Sequence, residues 1–210
     1  MCILLFSGVA FSACYAHSEG NGIKPCVSSR RWFHSLEEKR LPDRGYVMKS
    51  ELTIVTGGSN GIGRACVEAA LADGRIVANF DIVEPGKPTN ELFYHVDMSK
   101  PDQIRKTLNE LTENYNIVGL VNNAGAAINH SLFETSEDDF EQLVPLNIIG
   151  PAICAKFCAL SMREAGWGRI VNIASRVVQG KENRSAYAAT KGGLASMGKG
   201  WALELASDNI

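Results

Sequence analysis

The sequence predicts an α/β protein, a doubly wound parallel sheet in three layers (α/β/α). Three observations carry this: β-branched runs of strand length begin at Leu52, helix-period stretches alternate with them, and a glycine-rich turn joins the first strand to the first helix.

The elements follow in order. Leu52-Thr53-Ile54-Val55-Thr56 is a short β-branched run, and Gly57-Gly58-Ser59-Asn60-Gly61-Ile62-Gly63 opens a helical stretch that runs through Leu71 to Gly74. Residues 75–81, centred on Ile76-Val77-Ala78-Asn79-Phe80, read as the second strand, and 92–96 as the third. Residues 102–115 place Ile104, Leu108 and Leu111 at helical spacing, and 117–121 give a fourth strand. Residues 136–144 and 146–165 are expected helices, 169–174 a fifth strand and 184–207 the last helix. Repeats and low-complexity tracts are absent from the sequence.

Composition narrows the function. The chain has 210 residues, 45% of them hydrophobic, enough for one buried core. Its 21 basic and 23 acidic side chains give a formal charge of -2, which argues against nucleic acid and against polybasic membrane anchoring. A small-molecule partner is the expectation. Cysteines at 2, 14, 26, 66, 154 and 158 form no C-x-x-C pair and no ligand-like cluster with histidine, so neither a disulfide framework nor a metal site is indicated. Cys154 and Cys158 share a helix face and read as buried thiols.

Residues 1–47 differ from the rest. The apolar run 3–13 has signal-peptide length but no preceding Lys or Arg, and Phe11-Ser12-Ala13-Cys14 resembles a lipoprotein cleavage site. Ser29-Arg30-Arg31-Trp32-Phe33 resembles a twin-arginine signal, yet the polar residues 35–40 follow it. A mitochondrial address is a third reading, since Glu19 is the one acid in the first 36 residues. The preferred expectation is a cytoplasmic protein whose residues 1–47 are a disordered extension or translated upstream sequence, with the folded domain at 48–210.

Two groups of residues point to chemistry. Between a strand and a helix, glycines let a pyrophosphate approach the backbone and sit at the helix N-terminus, where free N–H groups and the helix dipole favour negative charge. The spacing here is G-x-x-x-G-x-G, not the familiar six-residue fingerprint, but Asp81 ends the second strand 18 residues after Gly63, near the offset at which an acid accepts a ribose 2′-OH. Its charge would repel a 2′-phosphate, and Ser59-Asn60 holds no arginine to welcome one, so NAD is favoured over NADP. The second group is Tyr187 and Lys191, one helical turn apart on one face. A free phenol titrates near 10 and is a poor acid or base at neutral pH, but a neighbouring ammonium favours the phenolate. The pair also fits a packed ring beside a solvated amine.

Taken together, Thr56-Gly57-x-x-x-Gly61-x-Gly63, Asn122-Asn123-Ala124-Gly125 after strand four, Asn147 in the long helix, Ser175 after strand five and Tyr187-x-x-x-Lys191 resemble the short-chain dehydrogenase/reductase family in order and spacing over residues 50–210. The resemblance implies a Rossmann-like fold and a catalytic tetrad of Asn147, Ser175, Tyr187 and Lys191. It also implies a cofactor held by Gly57, Ser59, Asn60, Gly61, Ile62, Gly63, Asp81, Asp97, Met98, Asn123, Ala124, Gly125, Tyr187 and Lys191. Ser175 would steady a substrate oxygen while Tyr187 passes the proton, as acid in reduction and base in oxidation. Lys191 would also hold the nicotinamide ribose.

The expected reaction is NAD-dependent interconversion of a secondary alcohol and a ketone, with a sugar or polyol, a hydroxysteroid or a 3-oxoacyl thioester as substrate. The alternative is a non-catalytic nucleotide-binding fragment or pseudoenzyme. The resemblance further implies a homodimer or homotetramer built through two long helices, for which Leu194, Met197, Trp201 and Leu205 form an apolar stripe that equally suits the core.

Three features depart from the family or qualify it. Eleven residues separate Ser175 from Tyr187 where the family has twelve, which would select Ala174; Ser175 is preferred because 170–174 aligns as the strand. Pro151 has no N–H for the carbonyl of Asn147, which either keeps that acceptor open for a water or simply kinks the helix. Finally, the family continues past its last helix into further strands. The chain stops at Ile210, so strand five is expected to be an exposed edge and the chain to be truncated.

Overall fold

The computed structural model describes residues 4–6, 49–87 and 89–210. The signal-like readings at 11–14 and 29–33 lie outside the described residues. The strands are β1 (Leu4–Phe6), β2 (Ser50–Thr56), β3 (Ile76–Asp81), β4 (Leu92–His95), β5 (Tyr115–Asn122) and β6 (Arg169–Ile173). The α-helices are α1 (Gly61–Ala72), α2 (Pro101–Asn114), α3 (Glu137–Val144), α4 (Gly150–Ala165) and α5 (Ser185–Leu205).

These strands form one sheet in the order β1-β6-β5-β2-β3-β4. β2 to β6 are parallel, and β1 alone runs antiparallel, pairing Leu4 with Ile173 and Phe6 with Val171. The expected open edge on the fifth parallel strand is therefore lined by residues 4–6. An uncovered edge leaves a row of N–H and C=O groups without partners, and a short antiparallel strand satisfies them.

The strand order reverses between β2 and β5, so the crossovers from these two strands leave in opposite directions. The crevice this opens lies beyond their C-terminal ends, where Thr56 leads into Gly57 and Asn122 into Asn123.

One face of the sheet is covered by α2, α4 and α5. Leu52, Ile54, Phe80, Ile117 and Leu120 of the strands meet Ile104, Leu108 and Leu111 of α2 and Cys154, Cys158 and Met162 of α4, with Trp201 and Leu205 of α5 at the margin. α1 covers the other face through Val67, against Val55 and Val77. Burying each such Leu, Ile or Phe contributes about 1.5–3 kcal/mol, and these contacts fix the helix ends that build the crevice. The Leu194 stripe turns inward: Leu194 is buried, and Trp201 and Leu205 pack on the main core.

The region expected as two separate helices is one continuous run, Glu137–Ala165, whose middle five residues, Pro145–Ile149, are π-wound. The Gly150 N–H bonds Pro145 O five residues back. Pro145 and Pro151 each remove a donor, and the wider turn accommodates them without a break. By length and composition this run would cross a membrane, but here α4 is the helix that buries Cys154, Cys158 and Met162 against the sheet.

Candidate active site

Everything in the crevice hangs on the end of β2. The Thr56 hydroxyl accepts from the N–H groups of both Asn123 and Ala124, each at 3.0 Å, which ties the end of β5 to the end of β2. The amide nitrogen of Asn123 returns two bonds of 3.0 Å to the carbonyls of Thr56 and Gly57. Gly57 and Gly61 have φ of +66° and +57°, the left-handed region that favours glycine. Gly63 is required by space rather than by angle. A Cβ there would stand 2.0 Å from the Gly57 carbonyl oxygen and 2.5 Å from Asn123 Nδ2.

This turn opens α1 with no acid in its first turn and no side-chain cap bond from Asn60. The result is a shallow cradle of backbone at a helix N-terminus, which fits a pyrophosphate. Ile62 is half exposed beside it.

Asp81 ends β3 and reaches across to the same turn. One carboxylate oxygen accepts from the Ser59 N–H at 3.0 Å and the other from the Val83 N–H at 3.1 Å. Asn79, fully buried below, donates to Ser59 Oγ at 3.1 Å.

The loop that follows is clamped by Arg64 on α1. Its Nη1 lies 2.5 Å from Glu91, its Nη2 donates to Thr89 at 3.0 Å, and its Nε pairs with Glu68 at 2.9 Å. Burial pushes the Glu91 carboxyl up, but hydrogen bonds from Thr89 and Arg64 outweigh it and bring the group down to about 2.

Asp97 follows β4 and is fixed by Ser99, whose N–H and hydroxyl donate to one oxygen at 2.8 and 2.7 Å. Burial opposes its charge, and these two bonds win, holding it below the usual carboxylate range. Met98 is buried behind it. A cleft of about 480 Å³ opens beside Asp97, bounded by Lys100, Ala126 and Leu146.

At the other end of the crevice Lys191 is buried, 3% exposed, and donates to the carbonyl of Ile173 at 2.8 Å. A Cβ placed on Gly125 would meet Asn147 Oδ1 at 2.9 Å and Lys191 Nζ at 3.2 Å, so asparagine, lysine and the Gly125 backbone share one spot. The Asn147 side chain is fully used: Oδ1 accepts from Ala126 N at 3.0 Å, and Nδ2 donates to Ala126 O at 2.9 Å and to Thr190 Oγ1 at 3.0 Å. Thr190 in turn donates to the Tyr187 carbonyl at 2.9 Å, so one chain of bonds runs from the Ala126 loop to the turn of α5 that carries Tyr187. Ser175 follows β6 and caps the 3-10 turn Arg176–Gln179, its oxygen accepting from Val177 N at 3.3 Å. That leaves the hydroxyl proton for another acceptor.

Tyr187 lies one turn before Lys191 on α5, its ring 6.0 Å from the Arg184 guanidinium. Sequence reasoning named the motif residues but gave no role to Thr56, Arg64 and Thr190. Thr56 ends a β-branched run directly before a glycine turn, which is a usable signal; the other two act on partners far along the chain.

Comparison with known proteins decides what this arrangement belongs to. Residues 51–210 match the family model described as short chain dehydrogenase. The chain belongs to the short-chain dehydrogenase family. This is a family of oxidoreductases that bind nicotinamide cofactors and act on small molecules.

Sorbitol-6-phosphate 2-dehydrogenase of Klebsiella pneumoniae is 33% identical over 177 residues, covering 78% of this chain and 66% of that protein. An NAD-dependent glycerol dehydrogenase of Listeria innocua is 30% identical, covering 80% of this chain and 70% of that one. Among solved structures, a short-chain dehydrogenase from Streptomyces avermitilis superposes with a TM-score of 0.72 at 32% identity, over 77% of this chain and 62% of that chain. The present chain thus spans about two thirds of the length of the short-chain dehydrogenases it resembles.

Proposed function

We propose that this short-chain dehydrogenase is NAD-dependent and interconverts a secondary alcohol and a ketone, with Tyr187 donating the proton in reduction and taking it in oxidation. The observation that carries this reading is the buried side chain of Lys191 beside Asn147 and Gly125, at the opposite end of the crevice from the glycine cradle and one turn after Tyr187. Tyr187 and Lys191 lie four residues apart on one face of α5, so both side chains can serve one bound molecule.

The nicotinamide, when bound, supplies or accepts the hydride. Residues 57–63 would hold its pyrophosphate, Asp81 its adenosine ribose, Asp97 and Met98 the adenine side, and Asn123, Ala124 and Gly125 the channel between. Asp81 supports NAD over NADP, because a carboxylate fixed by Ser59 N–H and Val83 N–H repels a 2′-phosphate.

Ser175 donates its free proton to the substrate oxygen and steadies negative charge there. Asn147 acts as a positioning residue: every polar atom of its side chain is taken by Ala126 and Thr190, which sets α5 against the Ala126 loop. Pro151 supplies no N–H to the Asn147 carbonyl, leaving that acceptor open to water behind Lys191.

The substrate classes that fit are a sugar or polyol, a hydroxysteroid and a 3-oxoacyl thioester. Self-association through α4 and α5 is part of the proposal, supported by a groove of about 240 Å³ between them, lined by Ala152, Ala159, Leu160 and Trp201.

The test is NADH formation at 340 nm across a panel of polyols, hydroxysteroids and 3-hydroxyacyl thioesters, with NAD binding measured alongside. Turnover on at least one class supports the reading. Binding of NAD with no turnover on any of them favours a non-catalytic nucleotide-binding role.

A further inference from the structure

Between Ser175 and Tyr187 the chain carries three cations, Arg176, Lys181 and Arg184, against one carboxylate, Glu182. None of the three takes part in an ion pair among the described residues, whereas Arg64, Arg105 and Arg163 each do. Arg184 differs from an ordinary surface arginine in being half-buried, with its guanidinium carbon 6.0 Å from the centre of the Tyr187 ring.

The loop is built to hold it there. Val177 is buried and anchors the 3-10 turn after Ser175, Gly180 takes φ +105° and Asn183 φ +58°, and the chain returns so that Arg184 directly precedes α5. Asparagine tolerates the left-handed conformation better than most residues, because its short side chain can bond locally. A guanidinium seated over an aromatic face keeps its fork of N–H donors free for a planar or tetrahedral anion.

We propose that this loop recognises an anionic group on the substrate, a phosphate monoester or a carboxylate carried by the same molecule as the reacting alcohol or ketone. Arg184 is the anchor, and Lys181 and Arg176 add to the local field. The inference rests on the alcohol–ketone reading above and narrows its substrate class. Bidentate pairing of arginine with phosphate or carboxylate is directional as well as charged, so loss of the fork costs more than loss of one unit of field. The distance from Arg184 to the Tyr187 ring is short enough for a small polyol phosphate or hydroxy acid to span both.

The test titrates inorganic phosphate, and separately acetate, into the full chain saturated with NAD, so that the glycine cradle is already filled. Saturable binding of either anion in the parent chain, weakened at least fivefold in Arg184→Gln and also weakened, though less, in Arg184→Lys, which keeps the charge but loses the fork, supports the proposal. The stronger of the two anions tells phosphate from carboxylate. Equal binding to the parent and Arg184→Gln chains, or none to either, overturns it.

Kinetics separate the rival role, in which Arg184 acts only on Tyr187. The comparison is of kcat/KM for a neutral polyol and its phosphate or carboxylate counterpart. Arg184→Gln lowers the ratio of anionic to neutral at least fivefold if the loop reads the anion; it slows both by one factor, with a shifted pH profile, if the proposal is wrong. Should Arg184→Gln fail to bind NAD, the double variant Arg176→Gln, Lys181→Gln replaces it, with a smaller drop in the same ratio expected and no drop counting against the loop. Turnover without any preference for the anionic substrate sinks this proposal and spares the dehydrogenase reading; absence of turnover on every substrate sinks both.

Discussion

Replacing Glu91 by glutamine removes the acid that holds Arg64 against the end of the sheet. The Glu91 side chain is 1% exposed, 2.5 Å from Arg64, and also accepts from the N–H and the hydroxyl of Thr89. Its carboxyl falls from 4.5 to about 2 on folding, because these bonds outweigh the cost of burial. A folded value below the unfolded one stabilises the fold fully above the unfolded value, and the effect is lost as pH falls through the folded one. The window is therefore from 4.5 down to about 2.

The difference, 4.5 minus about 2, is worth about 3 kcal/mol at neutral pH as a ceiling. Arg64 also pairs with Glu68, which is 59% exposed, so water reaches the rim of the cluster and about half of that ceiling is the expected value. Denaturant unfolding of the parent and Glu91→Gln chains at neutral pH should show the parent more stable by about 1.5 kcal/mol, with the gap shrinking by about 0.7 kcal/mol near pH 3.5. An equal gap at both pH values, or none at either, would refute the assignment of the clamp to an ionised Glu91.

Three further outcomes follow from the same geometry. Gly63→Ala places a Cβ 2.0 Å from the Gly57 carbonyl, so NAD affinity measured by titration calorimetry should fall at least tenfold; unchanged affinity would contradict the cradle. Asp81→Ser removes the carboxylate that faces a 2′-phosphate, and the ratio of NADP to NAD dissociation constants should narrow at least tenfold, whereas an unchanged ratio would move selectivity elsewhere. Burial pushes the Cys154 thiol up to about 12 and that of Cys158 well above its usual value, so neither should be alkylated by iodoacetamide at mildly alkaline pH until denaturant is added. Modification in the folded chain, read by mass spectrometry, would show that α4 opens.

Much of the fold was legible because its signals are local. The glycine turn, the β-branched runs and the spacing of Ile104, Leu108 and Leu111 each act over a few residues, and the structure has each of these elements with ends within two residues of those expected. β5 begins earlier and ends later than its apolar run, because ladders to β2 and β6 extend it through Tyr115 and Asn122.

What was not legible depends on distant partners. Residues 4–6 lie against β6 through an antiparallel ladder between positions far apart in the chain, and three apolar residues carry no local mark of that pairing. The π-wound turn at Pro145–Ile149 answers two prolines on either side of a required Asn147, where the sequence alone left a free carbonyl or a kink as readings. Asn147 itself was legible as a motif residue, but its bonds to Ala126 and Thr190 required the fold to bring those groups together.

The central claim is that Tyr187 moves the proton at a site where Lys191 and the glycine cradle hold NAD. Tyr187→Phe removes the acidic hydroxyl and keeps the ring, so the decisive measurement is single-turnover NADH formation by the parent and Tyr187→Phe chains at matched NAD occupancy, on whichever alcohol the parent oxidises. A rate lowered at least a hundredfold with NAD affinity changed less than threefold is the predicted result. Turnover within tenfold of the parent would contradict the account.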